Sequence, residues 1–379
     1  MAKTNKQIIN ALIKDSSLEM QNNIPLATSE TGTEVLSVLN QFPTYKNMFI
    51  SDLVNKVAMS IIESKGWRNP LSVFSKGRLP LGSTIEQIFV SDAKRKAFGT
   101  HFDESTTNEG DIFGKVLPQV YTKYITVNYM NKYKVSISED QLRLAFVSQN
   151  GLSNLVAQLI NSVYEQAEVD DYEYTKYCLY DLVGSSAVTG SNNIVDSFVL
   201  NGSETEPFKA SDLLTKLRAM SGRLNFKSTK YNVAGVKTFS KRENLVLLVT
   251  PEMNAVLDVQ GLATLFNIDR GNLNYRVIEV DELPKFTTTY TPPMGDALVN
   301  QETGLPITQT PYEIDTTLQN VQIDAIVADE SVFQMWETLV TTRSMENIND
   351  LSTNIILHKQ GIAGSNPYAN FICYGHKTA

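Results

Sequence analysis

The chain is poor in the residues that disulfide frameworks and metal sites need. Its 379 residues include only two cysteines, Cys178 and Cys373, and three histidines. Two cysteines are too few for a disulfide framework and are typical of proteins made in a reducing compartment. No run of 18 consecutive apolar residues occurs, and the first residues do not form a signal peptide. We therefore expect a protein that is made in the cytoplasm and has no membrane partner.

Motifs of nucleotide binding and catalysis are lacking as well. Neither GxxxxGK[ST] nor GxGxxG occurs, and no nucleophile motif accompanies the scattered histidines. Cys373 and His376 have a spacing that suits a metal ion, but no second pair of ligands accompanies them. Asp170, Asp171 and Glu173 could act as acids or bases, yet neighbouring helix positions point in different directions. The sequence thus predicts no catalytic residue, no cofactor and no metal ion.

Acidic and basic residues are unevenly distributed along the chain. The net charge is −8; residues 1–150 contain 17 Lys and Arg against 14 Asp and Glu, and residues 151–379 contain 16 against 27. The two parts therefore carry +3 and −11. Such an acidic chain does not match a general DNA-coating protein. The split fits either electrostatic attraction between copies of the chain or an acidic half with a well-solvated surface.

One stretch, 151–183, has the pattern of an unusually long amphipathic helix. Apolar residues recur every three or four positions in its first half, and Gly184 is a plausible C-cap. At 1.5 Å per residue the helix would be roughly 50 Å long. The first half is expected to pack in the core through Leu155, Leu159 and Val163. The second half is interpreted as an interface or solvated face that carries Asp170, Asp171, Glu173 and Tyr174.

A second stretch predicts an extended arm of two strands. Residues 84–90 form one strand, and residues 120–137, which alternate between apolar and polar, form a much longer one. Eighteen residues at about 3.3 Å each would reach roughly 60 Å. A two-stranded arm of that length cannot bury itself, so we expect another molecule to complete it. The candidate contacts are an apolar face at Ile125, Val127 and Tyr129 and a charged tip, 91–114, with Lys94, Arg95 and Lys96.

The remaining segments predict helices near the start of the chain and a mixed sheet towards its end. Residues 3–14 form a short helix of an N-terminal arm that either docks on a partner or frays. Residues 245–280 form a strand–helix–strand crossover whose helix begins at Pro251. Further strands are expected at 321–328, 333–344, 352–362 and 368–375. The last two are predicted to form a hairpin packed against the long helix.

Four segments carry a resemblance to a known family. They are RLPLGSTIEQI (78–88), LRLAFVSQNG (142–151), INSVYEQAEVDDYEYTK (160–176) and LDVQGLATLFNID (257–269). These segments resemble the major capsid proteins of small podoviruses, the group of Bacillus phage phi twenty-nine, and AEVDDYEYTK is the most specific part. The resemblance covers about residues 40–375 and is thin through 185–240 and 284–320.

This resemblance implies an α+β fold, the tailed-phage major capsid fold of the Hong Kong 97 type. Its parts would be an N-terminal arm, an extended β-hairpin loop, a long spine helix, a peripheral domain and an α/β axial domain. Ile125, Val127 and Tyr129 would then lie on the loop that overlies a neighbouring subunit. The expected bounds are 1–40 for the arm, 41–79 for the first part of the peripheral domain, 80–137 for the loop, 138–184 for the spine region, 185–320 for the axial domain and 321–379 for the returning strands of the peripheral domain.

The resemblance also implies a function. Copies of the chain would form pentamers and hexamers of an icosahedral shell that encloses the DNA genome, in a virion assembled in the host cytoplasm. The implied partners are other copies of the chain, a scaffolding protein during assembly, a portal protein at one vertex and packaged double-stranded DNA, which is contacted without sequence specificity. The alternatives are an encapsulin-like bacterial compartment shell and an α/β enzyme. The lack of catalytic motifs argues against the enzyme.

Overall fold

Helices and strands are interspersed along the chain. The computed structural model describes residues 5–29, 33–42, 44, 45, 48, 49, 67–93, 95, 117–138, 151–188, 194–202, 205–264, 276–293, 310–347, 350 and 352–378. The helices are α1 (Asn5–Asp15), α2 (Leu18–Asn23), α3 (Thr33–Gln41), α4 (Gly151–Ser186), α5 (Ile194–Ser197), α6 (Ala210–Leu224) and α7 (Pro251–Thr264). The strands are β1 (Ser75–Arg78), β2 (Ile85–Val90), β3 (Val120–Ile125), β4 (Tyr129–Ser138), β5 (Phe198–Leu200), β6 (Leu245–Val249), β7 (Arg276–Glu279), β8 (Thr289–Tyr290), β9 (Tyr312–Glu313), β10 (Val321–Asp329), β11 (Phe333–Asn347), β12 (Ser352–Ser365) and β13 (Phe371–Lys377).

Two sheets hold most of the strands. The long sheet has the order β1-β11-β12-β4, with antiparallel pairing between β11, β12 and β4. The central sheet has the order β5-β13-β10-β6-β7, with an antiparallel centre and a parallel pair at each edge. The chain passes from the central sheet to the long sheet between β10 and β11, and back again between β12 and β13. The two sheets are therefore joined by two short crossings.

Helix α4 packs on both sheets. In its first half, Val163 lies in one apolar cluster with Tyr133 of β4 and Leu357 of β12. In its second half, Leu179 and Val183 pack with residues of the central sheet such as Leu248 and Ile326. The predicted helix is confirmed and continues to Ser186. At 1.5 Å per residue its 36 residues span about 54 Å, which lets one element support both sheets.

The N-terminal segment packs on its own chain. Ile9, Leu12 and Met20 of α1 and α2 are buried in a cluster that also contains Ile160 of α4 and Ile355 of β12. The amphipathic helix predicted at 3–14 is confirmed as α1. The described residues of this arm do not fray, because their apolar side chains cover the first half of α4. Docking of the arm on a partner stays a prediction.

Several strand predictions are confirmed with small shifts. The crossover at 245–280 consists of β6, α7 and β7, and α7 begins at Pro251 as expected. β6 is buried at every position because it lies inside the central sheet. The mixture of these elements with α4 agrees with the α+β class. The capping box Ser138–Gln141 also predicts a helix, but residues 139–150 lie outside the described part of the chain.

The predicted arm is wrong in its second half. The strand expected at 120–137 is divided into β3, which pairs with β2, and β4, which pairs with β12 of the long sheet. The division lies at Asn128, whose side chain accepts a hydrogen bond from the Ala363 N–H at 2.9 Å and donates one to the Ala363 carbonyl at 2.6 Å. Only β2 and β3 remain as a two-stranded hairpin.

The predicted C-terminal hairpin is also wrong. β12 pairs with β11 and β4 in the long sheet, whereas β13 pairs with β10 and β5 in the central sheet. Adjacent strands that run in opposite directions look like a hairpin in sequence, although each finds its partners in a different sheet. The expected division at residue 320 therefore falls within the pairing of the central sheet, and the domain bounds stay predictions.

Gly184 does not cap the helix. It lies inside α4, and a Cβ atom added there would come within 2.8 Å of Tyr290 Cδ1 and 3.1 Å of Tyr312 Cδ2. Tyr290 is itself buried and packs edge-on against Phe286, with ring centroids 5.0 Å apart. The glycine therefore allows two aromatic rings to contact the helix backbone.

We expect Gly184→Ala to lower the melting temperature, although alanine is the better helix former. Inside an exposed helix this change would stabilise by about 0.5–1 kcal/mol, but here it drives a methyl group into a buried ring. Gly222→Ala in α6 is the matched control, since its Cβ would meet only Arg242 Nη2 at 3.6 Å. Thermal unfolding of both variants checks this, and an equal rise in melting temperature for both would contradict it.

We expect Val163→Asp to destabilise the fold by roughly 3 kcal/mol, because it buries an unpaired carboxylate. Val163 is only 6% exposed among Tyr133, Ala167 and Leu357. Gln158→Asp, at an exposed position of the same half of α4, should change the stability little. Denaturant unfolding of the two variants measures the difference. Wild-type stability in Val163→Asp would mean that this face of α4 is not core.

Candidate assembly surfaces

The hairpin of β2 and β3 exposes an apolar outer face. Ile88 and Val90 of β2 lie on this face with Val120 and Tyr124 of β3, and each is more than half exposed. Val90 is paired with Val120, and Tyr124 donates a hydrogen bond to Glu86 Oε1 at 2.7 Å. An isolated pair of strands is marginally stable, and a contiguous exposed apolar patch usually marks a contact surface. We call these four residues the hairpin outer face.

The inner face of the hairpin is seated on the chain itself. Lys123 Nζ donates to the Ser365 carbonyl at 2.6 Å, and the Phe89 ring stacks on Tyr368 with centroids 5.9 Å apart. Ile125 is buried against the backbone at Gly364. Burial lowers the pKa of the Lys123 ammonium. These contacts hold the hairpin on the crossing between β12 and β13.

An ion pair holds the hairpin at the end where β2 leads into the tip. Asp92 Oδ1 lies 2.5 Å from Lys227 Nζ, and Asp92 Oδ2 lies 4.0 Å from Lys237 Nζ. The hydrogen bond from Lys227 lowers the pKa of the Asp92 carboxyl. The groups are about half exposed, so the pair adds little stability and orients the hairpin more than it holds the fold.

The structure turns the predicted apolar contact face inwards. Ile125 and Tyr129 are buried and Val127 is half-buried. Tyr129 packs on Tyr174 of α4, with ring centroids 5.4 Å apart. Of the charged tip, Arg95 is exposed, while Lys94 and Lys96 lie outside the described residues. The free apolar surface is therefore the opposite face of the hairpin.

One carboxylate of the acidic half of α4 faces the protein interior. Asp171 forms an ion pair with Lys359 of β12, which is only 4% exposed and lies 3.3 Å from Glu337 Oε1 on β11. Glu337 Oε2 in turn lies 3.1 Å from Arg78 Nε on β1. One buried ammonium thus joins the helix to two strands. This contradicts the interpretation of Asp171 as part of an interface or solvated face.

The pKa shifts in this cluster follow from burial and from the shared cation. Burial raises the pKa of Asp171 to about 6, although Lys359 opposes the shift. Burial alone would also raise the pKa of Glu337, but Lys359 and Arg78 lower it below its usual range. Burial would lower the pKa of Lys359, yet the two carboxylates raise it. Lys359 is therefore charged between one ionised carboxylate and one that titrates near pH 6.

A second polar cluster ties α4 to the residues after β7. Lys176 Nζ lies 2.8 Å from Asp281 Oδ2 and 3.5 Å from Glu282 Oε1. The Tyr172 hydroxyl donates to Asp281 at 2.6 Å, and the Tyr180 hydroxyl donates to the Glu282 carbonyl. Tyr172 and Tyr180 are thus polar anchors between the helix and the residues that follow β7.

The other predicted residues of α4 divide between core and surface. Tyr174 is buried, and Asp170 and Glu173 are half-buried; Asp170 accepts from Gln166 at 2.8 Å on the same helix. Val163 is core, Leu159 packs at the margin of the N-terminal cluster, and the side chain of Leu155 lies outside the described residues.

No group of three or more potential metal ligands occurs within the described part of the chain. His376 Nδ1 lies 2.9 Å from Asp324 Oδ2, and Cys373 is buried in the core of the central sheet. Burial raises the pKa of Cys373. Among the described residues there is also no helix that is long and apolar enough to cross a membrane.

The hairpin outer face could have been identified from the sequence if the pairing register of β2 and β3 had been known. Ile88 and Val90 share the face of Glu86, and Tyr124 shares that of Thr122. The alternation in 120–137 drew attention to the stronger apolar face, which β4 needs for the core. The signal for the outer face was present only in Ile88, Val90, Val120 and Tyr124 taken together.

Comparison with known proteins identifies close similarity to phage capsid proteins. The family model described as Phi29-like phage major capsid protein matches residues 9–374. The major capsid protein of Bacillus phage B103 is 27% identical over 367 residues, which cover 97% of this chain and 72% of that protein. The major capsid protein of Bacillus phage PZA is 32% identical over 276 residues, which cover 72% of this chain and 59% of that protein. The matched parts thus span 72% and 59% of the lengths of these two relatives.

Solved structures show the same fold. A chain from the capsid structure of Staphylococcus phage Andhra is 14% identical with a TM-score of 0.56, covering 82% of this chain and 84% of that chain. A chain from the structure of the head fiber and inner core protein of native bacteriophage P68 is 16% identical with a TM-score of 0.55, covering 81% of this chain and 84% of that chain. The fold is that of tailed-phage capsids, the Hong Kong 97 type.

We expect Lys359→Met to destabilise the fold by about 3–5 kcal/mol, because it leaves Asp171 without its cation in the interior and leaves Glu337 with Arg78 alone. Lys132→Met is the matched control, since Lys132 is exposed on β4, the neighbouring strand. Denaturant unfolding at pH 7 measures both. If the two variants were equally stable, the buried cation would not be what joins α4 to the long sheet.

Proposed function

Since the chain belongs to the Phi29-like phage major capsid protein family, we propose that its copies form pentamers and hexamers. These rings would build an icosahedral shell around a DNA genome. The role is structural and includes no catalytic step. The partners proposed are other copies of the chain, a scaffolding protein during assembly, a portal protein at one vertex and non-specifically contacted double-stranded DNA.

The hairpin outer face is the observation that carries this proposal. Ile88 and Tyr124 are 55% and 63% exposed on a pair of strands whose other face is already seated on the chain. Covering this face removes apolar surface from water, which is the main favourable term in most protein association. A neighbouring copy would supply the cover, and its own hairpin would extend to the next subunit.

The domain assignment follows from the same proposal. The central sheet with α6 and α7 would form the axial domain around the five- and six-fold centres. The long sheet and the first half of α4 would form the peripheral domain. The compartment-shell and enzyme alternatives are not retained, since the matched family is one of phage major capsid proteins and the Andhra structure is that of a phage capsid.

Co-expression with a scaffolding protein tests the shell-forming function. Sedimentation and negative-stain microscopy should reveal closed particles of uniform diameter. A compact monomer or small oligomer under every condition, with and without the scaffolding protein, would contradict the proposal.

We expect Ile88→Thr with Tyr124→Thr to lower the particle yield at least about tenfold, since losing about 1.4 kcal/mol per contact already gives that factor. Threonine keeps the preference for a strand, so the melting temperature of the free subunit should change little. Leu18→Thr with Leu26→Thr removes two other exposed leucines and serves as the matched control. Equal particle yields from the two double variants would contradict the role of the hairpin.

Deleting the hairpin tip, 92–113, should leave the subunit folded but weaken shell assembly. The deletion removes Asp92 and the charged residues beyond it, while β2 and β3 keep their pairing. Circular dichroism checks the fold, and microscopy checks particle number. An unchanged particle yield would refute a role for the tip.

A further inference from the structure

One segment of this acidic protein is strongly basic. Residues 209–242 contain nine Lys and Arg and one acidic residue, Asp212, and so carry +8. The chain holds 33 basic and 41 acidic residues, so the remainder has 24 against 40 and carries −16. The segment comprises α6 and the loop that follows it. Its charge is unlike that of any neighbouring part of the central-sheet region.

The basic loop lies beside one edge of the central sheet. The Phe371 N–H of β13 donates to the Tyr231 carbonyl at 2.9 Å, and Lys230 Nζ lies 3.4 Å from Asp196, just before the edge strand β5. Ser228 and Thr238 form an antiparallel bridge, which places Lys227 opposite Phe239. The loop is therefore fixed to the β5 side of the sheet.

This loop presents cations together with uncovered aromatic rings. Phe226 is 73% exposed and Phe239 is 47% exposed. Lys227, Lys230 and Lys237 are exposed as well. Their partners Asp92 and Asp196 are also solvent-accessible, so these ion pairs are weak and can be exchanged for others. We call these two phenylalanines and three lysines the basic face.

The opposite edge of the same sheet is acidic. Residues 251–282 contain six Asp and Glu against two Arg. Glu279 of β7 and Glu252 of α7 are exposed, as are Asp281 and Glu282 directly after the strand. Val277 of β7 adds an apolar side chain that is almost half exposed. Because Asp281 and Glu282 already share the ammonium of Lys176, we call Glu252, Glu279 and Val277 the acidic face.

The strand order sets the relation between the two faces. β5 and β7 are the two edges of the order β5-β13-β10-β6-β7. Four strand spacings separate them, which is about 19 Å. Within the described residues, neither edge strand is paired on its outer side. The central sheet thus has a positive edge and a negative edge, and each edge has exposed apolar surface.

We infer that the basic face of one copy docks on the acidic face of the next copy, head to tail, around a closed ring. Rings of five or six subunits need two different complementary surfaces on each subunit, because a self-complementary patch gives only a two-fold pair. Opposite charges at the two edges of one sheet meet this requirement. The charges select the partner and its register, and Phe226, Phe239 and Val277 supply the apolar contact.

A second copy fits the basic face better than nucleic acid does. The lysines already hold carboxylates, Asp92 and Asp196, in the geometry of side-chain ion pairs. The acidic face of the same sheet offers carboxylates for the same type of ion pair. Nucleic acid would account for the basic face alone and would leave the acidic edge without a role.

This inference rests on the proposed shell function but is tested at the level of subunits. Self-association of the purified chain is measured by sedimentation equilibrium at several salt concentrations, without a requirement for closed particles. Wild-type association should weaken as salt rises, because exposed charges are screened. Failure to form shells would then count against the proposed function, whereas salt-independent association would count against the docking of these faces.

Charge reversal gives the decisive comparison. Lys230→Glu with Lys237→Glu makes both faces acidic, and Glu252→Lys with Glu279→Lys makes both basic. Each double variant should associate at least about tenfold more weakly than wild type, a factor that corresponds to 1.4 kcal/mol. Lys132→Glu with Lys134→Glu, exposed on β4 of the long sheet, is the matched control and should associate like wild type.

Combining all four reversals in one chain exchanges the two charges and restores complementarity. This variant should recover association to within about twofold of wild type. A one-to-one mixture of the two double variants should also associate, but it can alternate only in rings with an even number of subunits. Six-membered rings are then expected without five-membered ones in microscopy of the mixture.

Three results would overturn the inference. One is unchanged association in both double variants, with melting temperatures like that of wild type. Another is a four-fold variant that associates no better than the double variants. The third is a lysine double variant that associates like wild type but binds double-stranded DNA more weakly in a salt-dependent assay, which would assign the basic face to phosphate contacts instead.

Discussion

The burial of the second half of α4 between two sheets is the constraint on which the rest of the structure depends. A helix in this position must satisfy every polar group it carries, because a buried charge without a partner is costly. Lys359 does this for Asp171 and shares its charge with Glu337. Lys176 does the same towards Asp281 and Glu282. One helix therefore contacts both sheets, and this fixes the position of each sheet relative to the other.

Local patterns predicted the elements well and their surroundings poorly. Apolar spacing identified α4, α1 and β6 because these signals lie within a few residues. The same spacing could not identify which surface covers the acidic half of α4, since Lys359 lies 188 residues after Asp171. An acidic, tyrosine-rich face has the composition of a solvated or contact surface until its partners are known. The helix itself was therefore predicted correctly, and the error concerned which residues contact its acidic face.

The arm illustrates the same limit for strands. An alternating pattern over 120–137 is continuous in sequence, but its two halves pair with β2 and with β12, and β12 is more than 200 residues away. The strongest apolar face belonged to the core because β4 is an edge strand of the long sheet and must bury one side. The weaker pattern of Ile88, Val90, Val120 and Tyr124 stays exposed on the subunit. For a chain that functions by association, residues that the core does not need are thus better candidates than residues with the clearest periodicity.

Such a subunit combines buried ion pairs, which fix its two sheets, with apolar and charged surfaces that stay exposed. The buried ion pairs hold the two sheets on α4, so that the hairpin and the two edges of the central sheet are presented in a fixed geometry. The hairpin outer face is apolar and non-directional, which favours association without selecting its register. The opposite charges proposed to meet at the β5 and β7 edges would in contrast select one order of subunits. In the proposed assembly, association strength and association geometry would come from different surfaces. A shell needs both, because strong contacts without a fixed angle between subunits give open aggregates instead of closed rings.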